Sequence, residues 1–160
     1  MRIIGIDPGL QTTGYGIITV KGNACSHVTS GTIKSNAKEN LSERLLTLSV
    51  GLKHVIEQYQ PDMAAIEETF VNVNAASTLK LGNARGAILL TLAQSGLPVS
   101  EYAATLVKKS IVGVGRAEKD QVGMMVKILL RDVDQSSHDA LDALAIALCH
   151  AHHYQTMAVY

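Results

Sequence analysis

Apolar and β-branched residues are concentrated in three short segments within residues 2–33, a pattern typical of β-strands. Residues 2–7, 14–20 and 25–33 are rich in Ile, Val and Thr. Pro8-Gly9 separates the first two segments, and Lys21-Gly22-Asn23 separates the last two. Connections this short favour antiparallel pairing. Residues 2–33 are therefore predicted to form a three-stranded meander.

The spacing then becomes helical, because apolar residues recur every three or four positions between Asn40 and Pro61. Asn40 and Glu43 fit the two partners of an N-terminal capping box. Residues 62–67 and 98–102 are short apolar segments and are predicted to be strands. The remaining predicted helices span residues 74–95, 103–112, 117–131 and 137–153.

This order of elements predicts an α/β fold. Hairpins followed by helical crossovers require a five-stranded mixed sheet, with three antiparallel N-terminal strands plus two parallel strands, flanked by helices. No repeat or linker interrupts the sequence. Residues 1–160 are therefore expected to form a single domain.

Composition indicates a folded chain without a membrane span. Hydrophobic residues make up 47%, and charged residues 18%, which argues against disorder. The formal net charge is zero, so a surface for nucleic acid would require local segregation of basic residues. No apolar run approaches the ~18 residues that cross a bilayer. Cys25 and Cys149 show no pairing pattern, and we expect a cytoplasmic protein.

Four carboxylates stand where apolar residues would be expected: Asp7, Glu67, Asp139 and Asp142. Asp7 and Glu67 end predicted strands and, taken singly, could cap turns. Asp139 and Asp142 share one helix face, although the helix dipole alone would favour Asp139 in a first turn. Since ligands bind at the carboxyl ends of strands in such sheets, we expect the four acids to form one site.

Clustered carboxylates require cations, because like charges otherwise raise their pKa values. Oxygen ligands suit Mg²⁺, with Mn²⁺ as a substitute. Two such ions, about 3.5–4 Å apart, are the usual apparatus of phosphodiester hydrolysis. The acids therefore predict a nuclease with two Mg²⁺ ions in each active site.

Five segments, in this order, resemble the RuvC family of bacterial Holliday-junction resolvases, which belongs to the RNase H-like superfamily. They are GIDPG…TGYG (5–16), AIEETF (65–70), NAASTLKLGNARG (74–86), EYAATLVKKSIVGVGRAEKDQV (101–122) and HDALDALAIA (138–147). The resemblance implies an RNase H-like nuclease domain and a homodimer that resolves four-way DNA junctions by paired symmetric nicks during recombination and repair. It also implies metal dependence, and RuvA and RuvB as branch-migration partners.

The resemblance assigns the catalytic acids to Asp7, Glu67, Asp139 and Asp142. It selects Glu67 over Glu68, which must point to the opposite face of a strand and is expected to be solvated. His138 precedes Asp139, and some relatives carry a His among these acids. We favour Asp139 as the ligand and His138 as a neighbour or a cap.

Contacts with DNA are expected from four basic residues, which the sequence indicates as the only basic concentration outside the helices: Lys108, Lys109, Arg116 and Lys119. They would bind phosphates and position the strand. The resemblance gives most weight to Lys108 and Lys119, with Lys119 also catalytic. A solvated run of charge is the alternative, and it explains Lys109 equally well.

Other contacts with DNA are suggested near Glu67. The resemblance places Phe70 against unstacked bases, although an apolar ring there could also fill the core. Asn72 and Asn74 could reach bases or backbone. Arg85 could contact DNA or form an ion pair across a dimer, and the sequence does not decide between these roles.

Three patterns support other interpretations. Cys149-His150-Ala151-His152-His153 suggests a metal site, but its spacing does not fit structural zinc, and we expect packing at a helix end. GIDPG also resembles a phosphate loop of actin-like phosphotransferases, which would need a second loop. An inert DNA-binding module would gain nothing from four acids. Gly14 and Gly16 are expected to keep side chains away from Asp7, and could also touch DNA.

Overall fold

A five-stranded mixed sheet lies between two helical layers in the computed structural model, which describes residues 1–68, 73–133 and 136–157. The sheet has the order β3-β2-β1-β4-β5. The first three strands pair antiparallel, while β4 pairs parallel with both β1 and β5. The strands are β1 (Arg2–Asp7), β2 (Thr12–Lys21), β3 (Ala24–Lys34), β4 (Met63–Glu67) and β5 (Val99–Tyr102). This topology confirms the predicted sheet.

Two helices cover one face of the sheet and three cover the other. The helices are α1 (Leu41–Tyr59), α2 (Ala75–Gln94), α3 (Ala104–Val112), α4 (Lys119–Leu129) and α5 (His138–Met157). Helices α1 and α2 pack on the face that carries Ile4 and Ile6, whereas α3, α4 and α5 pack on the face that carries Ile3. Among the described residues, no helix is long and apolar enough to span a bilayer.

Local capping explains where the helices differ from their predicted bounds. Asn40 caps α1 as predicted, and its backbone N–H donates to Glu43 Oε2 at 3.1 Å. Helix α4 is shorter than predicted because Glu118 is its N-cap and donates its N–H to Gln121 Oε1 at 2.9 Å. Helix α5 runs past its predicted end at His153. The rings of His150 and Tyr154, one turn apart on this helix, are tilted by 50° with their centroids 6.1 Å apart.

Glycines on β1 and β2 allow α5 to lie directly on the sheet. A Cβ atom on Gly5 would come within 2.1 Å of the Ala143 carbonyl oxygen, and one on Gly14 within 2.1 Å of the Asp139 carbonyl oxygen. Gly16 is equally covered by α5. The alternative in which Gly14 and Gly16 also touch DNA is therefore wrong, because both are buried under α5, the helix that carries Asp139.

Candidate active site

The four predicted acids meet at one edge of the sheet, and we call them the carboxylate cluster: Asp7, Glu67, Asp139 and Asp142. Asp7 ends β1 and Glu67 ends β4, and these strands are parallel neighbours in which Ile6 pairs with Ile66. Their carboxyl ends therefore lie side by side. The backbone of Asp139 covers Gly14 of β2, and Gly14 is the residue that pairs with Asp7 of β1.

Strand alternation decides which face the cluster occupies. Ile6 and Ile66 belong to the core beneath α1 and α2. Since successive side chains point to opposite faces, Asp7 and Glu67 point toward α5. Helix α5 adds Asp142 one turn beyond Asp139, on the same side of the helix. Glu68 is exposed, as expected.

Burial and mutual repulsion make the cluster electrostatically unfavourable. Burial and, after it, the negative charges of Glu67, Asp142 and Asp139 raise the pKa of Asp7 from 3.8 to about 7, while the charge of Lys119 opposes the rise. Burial, followed by the charge of Asp142, also raises the pKa of Glu67. A cation bound here would reverse these penalties by favouring the ionised carboxylates.

Two lysines supply positive charge at the cluster. The Nζ atom of Lys119 lies 3.3 Å from Oδ2 of Asp142, and the charge of Asp142 raises the pKa of Lys119. The charge of Lys108 lowers the pKa of Glu67 against the effect of burial. A cavity of about 140 Å³ is lined by both lysines together with Asp7, Glu67 and Asp142.

The basic residues do not lie outside the helices as predicted. Lys108 and Lys109 belong to α3, and Lys119 is the first residue of α4. Only Arg116, which is exposed, lies in the connection between these helices. That description is wrong because residues 103–112 and 117–131, themselves predicted to be helical, already contain Lys108, Lys109 and Lys119.

The donor set fits a hard divalent cation, although its side chains are not gathered as a finished metal site. All four acids offer only carboxylate oxygens, the ligands that Mg²⁺ and Mn²⁺ prefer. Within the described ranges, no three His, Cys, Asp or Glu side chains are arranged to hold one ion together. Asp142 instead pairs with the Lys119 ammonium. The residues therefore fit such an ion by chemistry and by position on the fold.

Ser137, and not His138, caps the helix that carries two of the acids. The Ser137 hydroxyl accepts a hydrogen bond from the Ala140 N–H at 3.3 Å. His138 is exposed at the first position of α5, whereas Asp139 is partly buried and contributes to the raised pKa of Asp7. His138 is therefore a neighbour of Asp139 and does not cap α5, while the role of Asp139 as a ligand stays a prediction.

Asn74 has a structural role in addition to its predicted contact with DNA. Its side-chain oxygen accepts a hydrogen bond from the Ser77 N–H at 3.1 Å and so caps α2. Contact with DNA by Asn74 stays a prediction. Phe70 and Asn72 lie outside the described residues.

Arg85 contacts its own chain in a way that sequence reasoning missed. Its Nε donates to the backbone carbonyl oxygen of Glu67 at 3.2 Å, and its guanidinium forms an ion pair with Glu101 on β5. From the sequence, Arg85 was expected either to contact DNA or to form an ion pair across a dimer, and neither role involves a partner in the same chain. No local pattern in the sequence signals this contact, since residues 67, 85 and 101 come together only in the folded sheet.

The remaining patterns are explained by packing. His150 is buried, and its Nδ1 lies 2.7 Å from the Tyr102 hydroxyl. His153 Nδ1 lies 2.8 Å from the Cys149 carbonyl oxygen. In the GIDPG turn, Gly9 N–H donates to Thr13 Oγ1 at 3.3 Å, and that hydroxyl donates to the Gly9 carbonyl at 2.8 Å. The Gly9 N–H and carbonyl therefore bond to the Thr13 hydroxyl of the same turn, whereas a phosphate loop directs its backbone N–H groups toward a ligand.

Comparisons with known proteins agree on one family. The family model for crossover junction endodeoxyribonuclease RuvC matches residues 3–150. A protein of that name from Paramagnetospirillum magneticum is 60% identical over 98% of this chain and 94% of its own length. Among solved structures, Thermus thermophilus RuvC in complex with Holliday junction substrate matches with a TM-score of 0.89 and 32% identity, over 98% of this chain and 96% of that one. Thermus thermophilus RuvC itself matches with a TM-score of 0.86 and 31% identity, over 98% and 97%.

Proposed function

Because the chain belongs to the RuvC family of crossover junction endodeoxyribonucleases, we propose that it resolves Holliday junctions by paired symmetric nicks in recombination and repair. It is a nuclease with the RNase H-like fold. The observation that carries the proposal is the carboxylate cluster, whose four acids come from two parallel strand ends and one helix. One nuclease domain, residues 1–160, would hold the whole cluster.

Two Mg²⁺ ions are proposed as the cofactor, held by Asp7, Glu67, Asp139 and Asp142, with Mn²⁺ able to replace them. When bound, such ions supply Lewis-acid catalysis and an activated water for phosphodiester hydrolysis. The raised pKa of Asp7 supports this assignment, because a buried acidic group of this kind gains most from a cation. The chain's own part is to hold three of the carboxylates, those of Asp7, Glu67 and Asp142, in the lining of one pocket with Asp139 close by.

Lysines at the pocket are proposed to bind the scissile strand. Lys108 and Lys119 line the same cavity as the acids, so a phosphate that reaches the carboxylates also meets both ammonium groups. Arg116 is exposed beside Lys119 and would contact the flanking backbone. Such contacts position the DNA without reading its sequence. The roles of Asn74 and Phe70 at the crossover rest on the family resemblance.

A homodimer is proposed to form through one exposed stripe of α2. Gly82 and Gly86 are exposed, and a Cβ atom on either would meet no heavy atom within 4 Å. Leu79 and Leu90 continue the same helical stripe, with 67% and 59% of their surface exposed. Small residues flanked by apolar ones allow two helices to approach closely around a twofold axis. Partnership with RuvA and RuvB rests on the family resemblance alone, whereas the proposed cytoplasmic location rests on the cysteines, which show no pairing pattern.

Cleavage of a synthetic four-way junction tests this function directly. We expect two symmetric nicks in the presence of Mg²⁺, none after chelation, and little cleavage of a linear duplex with the same arm sequence. Adding ATP in a thermal-shift assay tests the phosphotransferase alternative, which requires stabilisation by the nucleotide. Metal-independent nicking, or equal cleavage of the linear duplex, would contradict the proposed function.

A further inference from the structure

Arg85 reaches the strand end that carries Glu67 from the side of the sheet opposite to the carboxylate cluster. Its neighbours on α2, Ala84 and Ile88, are buried against the sheet. The Glu67 side chain points toward α5, so Arg85 cannot touch the carboxylate and instead binds the backbone carbonyl at 3.2 Å. Arg85 is itself largely enclosed, with 17% of its side chain exposed.

Glu101 holds the guanidinium in place. It lies on β5, and in the register of the sheet it pairs with Ile66, the residue before Glu67. Both Ile66 and Glu101 therefore point to the α2 side, where Glu101 forms its ion pair with Arg85. The guanidinium thus bridges the ends of two adjacent parallel strands.

The carbonyl that Arg85 binds belongs to the last peptide group of β4. The N–H of that same peptide group belongs to Glu68, and it donates to the Tyr102 carbonyl oxygen at 2.8 Å. A hydrogen bond from a charged donor is about twice as strong as a neutral one. Together these two bonds fix the plane of the peptide that follows Glu67, and with it the direction of the Glu67 side chain.

We propose that Arg85 is a positioning residue for Glu67, with Glu101 as the group that orients it. The proposal rests on the proposed function, because it assumes that Glu67 binds the catalytic ion. Arg85 acts through the backbone, from the opposite face of the sheet, and does not contact DNA or ion. It also connects α2, which carries the proposed dimer stripe, to the active site.

The test compares Arg85→Ala, Arg85→Lys and Glu101→Gln with wild type. Loss of a group that supports a metal ligand typically weakens metal affinity, so we expect Arg85→Ala to raise the Mg²⁺ concentration for half-maximal cleavage by about tenfold. Junction affinity measured in chelator should not change. Arg85→Lys keeps one charged donor and should recover part of the loss, while Glu101→Gln should cause a smaller shift.

A second readout does not depend on activity. Mg²⁺ raises the melting temperature of a protein that binds it only when folded, and this rise should require about tenfold more Mg²⁺ in Arg85→Ala. Arg44→Ala is the matched control, because Arg44 donates to Ser35 Oγ at 3.0 Å and Gln11 Oε1 at 2.9 Å, and neither partner belongs to the cluster. It should lower the melting temperature without changing the Mg²⁺ dependence.

The outcomes separate the two proposals. If wild type cleaves the junction in Mg²⁺ but Arg85→Ala and Glu101→Gln keep the wild-type Mg²⁺ dependence in both assays, the positioning role is wrong and the proposed function stands. If Arg44→Ala shifts the Mg²⁺ dependence as much as Arg85→Ala does, the effect is general destabilisation and the positioning role is again wrong. If wild type does not cleave, the proposed function fails and the role of Arg85 fails with it.

Discussion

Lys119 Nζ lies 3.3 Å from Oδ2 of Asp142, and this ion pair joins the first residue of α4 to the second turn of α5. The two partners differ in exposure, since 77% of the Lys119 side chain is exposed but only 20% of that of Asp142. An exposed lysine on a flexible stem can turn from a carboxylate to a phosphate at little cost. We therefore expect Lys119 to turn from Asp142 to a phosphate when DNA binds.

Replacing Lys119 by Gln should slow cleavage and shift its pH dependence. Loss of a positive charge at the reacting phosphate is expected to lower kcat by roughly 100-fold. Because the Lys119 charge opposes the raised pKa values of Asp7 and Glu67, its loss should raise both, and the acidic limb of the rate profile should move to higher pH. Lys109→Gln is the control. An unchanged limb in Lys119→Gln would contradict the coupling.

Asp7→Asn should separate binding from cleavage. The amide keeps the shape of the side chain but removes the charge at the centre of the cluster. We expect junction affinity to be retained and the single-turnover cleavage rate to fall by at least about 100-fold. Gel-shift and cleavage assays on one synthetic junction measure both quantities, and cleavage at the wild-type rate would exclude Asp7 from the chemistry.

Stability of the metal-free protein should fall as pH rises. The pKa of Asp7 is about 7 in the folded protein against 3.8 ordinarily, so the folded state binds the proton more tightly than the unfolded state. The free energy of unfolding therefore falls as the pH rises above about 4, and this fall is complete above about pH 7.

Asp7→Asn removes this titration. Its free energy of unfolding at pH 8 should exceed that of wild type by a few kcal/mol, because each unit of pKa shift corresponds to about 1.4 kcal/mol. The difference should vanish toward pH 4. Urea unfolding in chelator at several pH values measures the difference. A difference that does not vary with pH would show that Asp7 keeps an ordinary pKa.

Junction affinity should depend steeply on salt despite the zero net charge of the chain. Binding by lysine and arginine releases counterions from DNA, and each lost phosphate contact should reduce the slope of log K against log salt by about 0.9. We expect this reduction for Lys108→Gln and for Arg116→Gln. Lys53→Gln, on α1 at the other face of the sheet, should leave the slope unchanged. A flat salt dependence in wild type would exclude these phosphate contacts.

Gly86→Glu should dissociate the proposed dimer. The new side chain meets open space within one chain, so the fold is preserved, but its charge would be buried between two copies of α2. Sedimentation should then show a monomer. The two strands of a junction should no longer be nicked at the same time. Ile128→Glu, on the exposed side of α4, is the control. A Gly86→Glu protein that remains dimeric would place the interface elsewhere.

Sequence patterns alone were sufficient for the sheet, and they marked the acids as candidates for the site. Strand patterns and short turns are local properties, so all five strands were predicted with bounds within about two residues of those observed. Asp7 and Glu67 could be identified because a carboxylate at the end of a buried strand contradicts the local pattern. The same argument placed Asp142 on the apolar side of a helix, although the resemblance was needed to choose between Glu67 and Glu68.

Tertiary structure decided what these groups contact. The raised pKa of Asp7 depends on burial and on charges from other elements, and neither can be read from spacing. The sequence suggested open space at Gly14 beside Asp7, but Gly14 is covered by α5. The close packing of a helix on a sheet is a nonlocal property, so the local pattern could not predict it. Arg85 is the clearest case. Its sequence neighbours favour a helix and nothing more, and only the stacking of α2 on the sheet brings its guanidinium to the backbone of Glu67.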